Sequence, residues 1–166
     1  MEAFSRFLET LDAHKKAGEW DRVIPSVGRE LCRLLDLRSP NEVKKLRVSG
    51  IVAKLAAGAN AVIWLRYRQI MVIALLKETG DIATAKDPDR GGRGWYLTAL
   101  HLLLDALNQG EVTRYAEFAP SVETLLAALG DAPLPQRTRV ALMREFVRRG
   151  QPTSAIELRA FLGISS

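Results

Sequence analysis

A glycine that closes one helical stretch and is followed four or five residues later by a second amphipathic stretch returns three times along this chain. The clearest copy is Lys16-Ala17-Gly18-Glu19-Trp20-Asp21-Arg22-Val23-Ile24. The last is Arg148-Arg149-Gly150-Gln151-Pro152-Thr153-Ser154-Ala155-Ile156, and in the middle copy, Glu78-Thr79-Gly80-Asp81-Ile82, the second helix is delayed by an insertion. Glycine enters the left-handed conformation without a Cβ clash, so it ends a helix and lets the chain reverse into an antiparallel partner. Helix hairpins are therefore the expected building unit, and the expected fold class is all-α.

Periodicity fills in the elements. Phe4, Phe7, Leu8 and Leu11 recur at helical spacing, with His14 on the same edge, which predicts a helix over 2–17 that Gly18 ends. Trp20, Val23, Ile24, Val27, Leu31 and Leu34 predict a second helix over about 20–37, its apolar stripe facing the first. Ser39-Pro40-Asn41-Glu42 is the sharpest start signal, with Ser39 as N-cap, Pro40 at the first helical position and Glu42 able to reach back. The third helix, to about Ala57, is apolar over a wide arc and is expected to be central, with Gly50 easiest to accept where another backbone packs closely. A fourth helix over about 60–79 reads as buried on most sides. Residues 86 to 94 are polar, Gly-rich and aperiodic, so the stretch at about 81–94 is expected to be a flexible surface loop. Tyr96 to Leu107 gives a strong helix, 112–129 two helical pieces divided near Pro120, and Pro135 opens a helix made amphipathic by Val140, Met143, Phe146 and Val147. Ala155, Leu158 and Leu162 finish the fold.

Composition bounds what these elements can build. With 166 residues and 48% apolar content, the chain suits one globular domain over 1–166 with a real core, and a disordered chain is excluded. A single cysteine, Cys32, can form no internal disulfide, and within the apolar stretch 31–35 it reads as a small buried thiol. The first residues lack the basic-then-apolar pattern of a signal peptide, and the longest apolar run, 59–76, contains Arg66, Arg68 and Gln69. No membrane span is expected, and a reducing cytoplasm fits best. The net charge of +5 permits a polyanionic partner, but the basic residues are dispersed among acids, so the charge speaks first to solubility.

Set side by side, the glycine-bounded hairpins resemble tetratricopeptide repeats (TPR), whose two helices meet at a Gly-Asp/Asn-Tyr-x-x-Ala type of corner. Gly18-Glu19-Trp20-Asp21-Arg22-Val23-Ile24 carries the likeness best, with Trp20 in the aromatic place. Gly150 matches less fully because Pro152 replaces the aromatic, and Trp95 to Leu100 looks like the displaced second helix of the middle copy. The glycines lie 62 and 70 residues apart, where such repeats return about every 34, so extra helices intervene. Over the whole chain, the order resembles an uncharacterised bacterial family of TPR-like helical domains. The segments carrying this are Leu34-Leu35-Asp36-Leu37, Ala74 to Gly80, Tyr96 to Leu107 and a closing hairpin from Phe146 to Leu162. The resemblance implies stacked antiparallel hairpins in a right-handed α-superhelix of about eight helices, and a generic binding role.

No catalytic, metal or cofactor site is expected. His14 and His101, the two histidines, are far apart and lack carboxylates or thiols at metal-ligand spacing, so each reads as a packing residue. Three function classes remain. A non-enzymatic scaffold for a protein or peptide is favoured, since stacked hairpins leave a concave face. A nucleic-acid binder is second, supported by the net charge and by Arg144, Arg148 and Arg149, and opposed by the lack of a helix-turn-helix signature and of aromatics interleaved with those bases. A small helical enzyme is third. In TPR-like hairpins the first helix lines the groove. Counting back from each glycine then gives as candidate partner-binding residues Lys15, Lys16, Tyr67, Lys77, Arg137, Arg144 and Arg148, alongside the acids Asp12 and Glu78. Most are basic, which suggests an acidic peptide or a C-terminal carboxylate as ligand. The competing reading is an ordinary solvated face, and Leu8, Ile70 and Val147 in the same register require part of it to be buried.

Overall fold

A computed structural model describes residues 2–58, 62–89, 91–109 and 117–150, and among them every regular element is helical. In order these are α1 (Glu2–Lys16), α2 (Trp20–Leu35), a 3-10 helix (Pro40–Lys45), α3 (Val48–Ala57), α4 (Val62–Lys86), α5 (Arg93–Asn108), α6 (Val122–Leu129) and α7 (Gln136–Arg148).

The first hairpin forms as its sequence requires. Gly18 takes φ 72°, the Glu19 amide donates to the His14 carbonyl at 2.9 Å and the Gly18 amide to Lys15 at 3.0 Å. These paired bonds satisfy carbonyls that a helix end leaves open. The chain reverses, and Phe4 and Leu11 of α1 join Val23, Val27 and Leu31 of α2 in the core. Helix α2 then packs on α4, α4 on α5, and α5 on both α6 and α7.

Helices α4 and α5 are the centre of the molecule. Val72 to Leu76 form five consecutive buried positions, and Leu102, Leu103 and Leu104 three more. A helix buried at several consecutive positions is one with neighbours on more than one side. Helix α3, expected to be central, is peripheral instead: Ile51 and Leu55 are buried, whereas Ala53, Ala56 and Ala57 face solvent. Its wide apolar arc consists largely of alanines that need no cover. At Gly50 the nearest neighbour of an added Cβ would be the Leu46 side chain at 3.6 Å, so no backbone approaches closely there. The expected single helix from Ser39 is also divided. Ser39 does cap, its Oγ accepting from the Asn41 amide at 3.4 Å, but the element it opens is the 3-10 helix, and Leu46 and Arg47 are extended before α3 begins.

The middle glycine overturns its sequence reading. Gly80 is no corner, because α4 runs unbroken through it to Lys86 and residues 81–86, expected in the loop, are helical. The reason for the glycine is steric: a Cβ there would lie 2.4 Å from Cε1 of Tyr96, so position 80 is a socket for the tyrosine ring. A Cβ at Gly92 would meet Thr84 Oγ1 at 2.1 Å and the other edge of the same ring at 2.6 Å. The glycines of the supposed flexible loop thus include one held against α4 by close packing. The first expected helical piece of 112–129 and the closing hairpin beyond Gly150 lie largely outside the described residues, while the second piece is α6, capped by Ser121 Oγ accepting from the Thr124 amide at 3.0 Å.

Candidate functional site

An open groove follows the edge of α5 that the other helices leave uncovered. Its floor includes Leu97, His101, Leu104 and Asp105; one wall is the extended break at Leu46 and Arg47 with Val48 at the start of α3, and the other is α7 with Arg137, Val140 and Arg144. Two adjoining cavities of about 450 and 380 Å³ share Val48, His101 and Arg137. Beyond Arg144 the groove opens onto an apolar ledge of Val140, Met143 and Val147. Val147 is 63% exposed and Val140 40%, so together with Met143 they form a contiguous exposed apolar patch.

The polar groups on the floor are fixed from below. Gln69, fully buried in α4, donates to Asp105 Oδ2 at 3.0 Å and to the Leu102 carbonyl at 2.9 Å, and its Oε1 accepts from Arg66 at 2.8 Å. This satisfies an amide that would otherwise be costly inside the core. His101 Nε2 lies 2.6 Å from the hydroxyl of buried Thr138. Burial first, and then the charge of Arg137, hold the His101 pKa below the usual imidazole value, so the ring is neutral near pH 7.

On the opposite side of α7, Glu145 anchors the wall. Its carboxylate is fully buried and accepts from Arg148 at 2.8 and 2.9 Å and from Arg149 at 2.7 Å. Arg149 also reaches Glu123 of α6 at 2.7 Å. Burial alone would raise the Glu145 pKa, but the two guanidinium groups outweigh it and hold the carboxyl below its ordinary range.

The seven sequence candidates fall in several places. Arg137 and Arg144 stand on the groove wall, and neither makes an ion pair among the described residues. Arg148 sits at the end of the ledge, bonded to Glu145. Lys15 and Lys77 belong to a different cluster, where Lys15 Nζ meets Glu78 at 2.5 Å and Asp81 at 3.4 Å, and Lys77 meets Asp81 at 2.7 Å. Tyr96 completes that cluster by donating to Asp81 at 2.8 Å. Lys16 pairs with Asp12 in solvent at 2.6 Å, and Tyr67 lies tilted against Trp64 with ring centroids 6.1 Å apart. Arg47 and Asp105 were not anticipated. Arg47 reaches the groove only because of the break at Leu46, which has no signal in the sequence, whereas Asp105, one turn after His101 on α5, could have been found by following that face.

Among the described residues no group of three His, Cys, Asp or Glu is placed to hold a metal ion, and no helix is long and apolar enough to cross a membrane. Among the described residues the fold is all-helical, with one edge of α5 left as an open groove. Comparison with family models, with curated proteins and with solved structures gave no match.

Proposed function

We propose that this chain is a non-enzymatic binding module, and that its groove takes an acidic, amphipathic peptide segment of a partner protein. The observation carrying this reading is the pairing of three cations that make no ion pair among the described residues, Arg47, Arg137 and Arg144, with the adjoining apolar ledge of Val140, Met143 and Val147 along one continuous channel. Guanidinium groups bind carboxylates in two-pronged fashion, and the exposed valines supply the desolvated surface that a purely electrostatic site lacks. In this reading the stacked hairpins follow the TPR principle, with helices arranged to leave one face open, rather than its strict repeat.

Nucleic acid fits the groove less well. The described residues that line the groove include no Trp, Tyr or Phe on which a base could stack. The test is fluorescence anisotropy with a labelled helical peptide bearing Glu on one face and Leu on the other, beside a labelled single-stranded RNA. Saturable peptide binding that Arg137→Glu with Arg144→Glu abolishes, at unchanged helicity, supports the module. Preferential RNA binding with a steep salt slope would replace it with the nucleic-acid reading.

A further inference from the structure

A second cleft lies on the far side of Trp95, where α2, the 3-10 helix and α4 converge. It holds about 280 Å³, and its walls are Ile24, Val27 and Leu31 of α2, Ile82 and Ala83 of α4, and Pro40. Pro40 packs directly onto Gly28 of α2, where a Cβ would lie 2.9 Å from the ring, which seats the 3-10 helix against α2 as one rim of the cleft, and α4 contributes the small Ala83 to the wall. Two lysines also line the cleft, Lys44 from the 3-10 helix and Lys86 at the end of α4. Both are exposed and neither forms an ion pair among the described residues. Lys44 Nζ lies 5.6 Å from the centroid of the Trp95 ring, so the ammonium is held across the cleft on an aromatic face.

An apolar cavity bordered by two cations is complementary to one chemistry, a small anion with a hydrocarbon body. We infer that this cleft is a binding site for a medium-chain carboxylate, its alkyl chain lying between Ile24, Leu31 and Ile82 and its carboxylate on Lys44 and Lys86. The volume is near the lower end for small-molecule sites, about 300 Å³, which suits a short single chain and leaves no room for a two-chain lipid. Burying the chain supplies the affinity, since each methylene removed from water contributes about 0.8 kcal/mol, and the lysines select the anion over the alcohol of equal length. The site is separate from the peptide groove: its walls come from α2, the 3-10 helix, α4 and Trp95, and Arg47, Arg137 and Arg144 take no part in it.

The test is titration of the full chain with sodium octanoate, and in parallel with 1-octanol, followed by calorimetry and by the indole N–H resonance of Trp95, assigned through Trp95→Phe. The expected result is one saturable octanoate site that moves the Trp95 resonance, with octanol at least tenfold weaker. Lys44→Gln with Lys86→Gln, two surface changes that leave the fold alone, should weaken octanoate at least tenfold and bring it level with octanol. Ala83→Leu should abolish binding by filling the cleft, at unchanged helicity. Octanoate binding that is absent, unsaturable, spread over many resonances, or indifferent to the lysine pair would overturn the assignment.

Discussion

Gly80 of α4 and Tyr96 of α5 are a socket and its ring, with the missing Cβ at position 80 only 2.4 Å from the tyrosine edge. Replacing an interior helix glycine by alanine ordinarily stabilises a helix by about 1 kcal/mol. Here the sign reverses, because the added methyl must push apart the two central helices. Gly80→Ala is expected to destabilise by about 1–3 kcal/mol as an overpacking change, measured by urea denaturation. Combined with Tyr96→Ala, which empties the ring's place, the same substitution should cost less than it does alone.

Tyr96 also gives the domain an alkaline limit. Burial, reinforced by Asp81 and Glu78 and only partly offset by Thr84, pushes its phenol up to about 12. An unfolded tyrosine titrates near 10, so the native state holds the proton between the two values. The stabilisation is complete below about pH 10 and is lost as pH rises toward 12. Spectrophotometric titration of the folded protein should show one late phenol step, absent from Tyr96→Phe.

Glu145 sets the acid side. Its native pKa is held below the ordinary carboxyl value by Arg148 and Arg149, so the unfolded chain takes up this proton first as pH falls. The stabilisation is full above about pH 5 and disappears as pH drops through the depressed native value. Glu145→Gln should flatten the acid limb of a stability–pH profile. Because it also leaves Arg148 and Arg149 without their buried partner, it should cost on the order of 3 kcal/mol at pH 7.

The first hairpin separates two leucines that the sequence treats alike. Leu11 is 2% exposed, whereas Leu8 packs only partly against the core. Leu11→Ala is expected to cost about 2–5 kcal/mol and Leu8→Ala clearly less, with both measured by chemical denaturation. Equal losses would mean that α1 is rotated from the orientation described.

Much of the fold was legible because its signals are local. The turn at Gly18 needs only a residue tolerant of positive φ, and the cap at Ser39 needs only a side-chain oxygen beside free amides. What misled was a signal with two physical causes. Gly80 has the composition of a corner, yet it is glycine because Tyr96, sixteen positions later, occupies the space, and no local pattern distinguishes a required φ from a required absence of Cβ. The site divides in the same way. Arg137 and Arg144 share a helix face visible from their spacing, whereas the opposite wall depends on an extended break at Leu46 and Arg47 that periodicity does not mark. Lys77, equivalent to the arginines by counting from Gly80, faces Asp81 because that count assumed a corner α4 does not have, and Lys15, counted from the true corner at Gly18, is drawn to Glu78 and Asp81 on the same continuous helix.

The unbroken course of α4 bears on how this molecule could change over evolutionary time. A solenoid gains or loses whole units because each touches only its neighbours and a seam exists between them. Helix α4 is 25 residues long, about 38 Å at 1.5 Å per residue, and it packs against α2, α3 and α5 together. Duplicating or deleting a hairpin would have to cut through this common strut. The architecture is therefore non-modular, and new binding properties must come from substitutions along its open edges rather than from a change in the number of units.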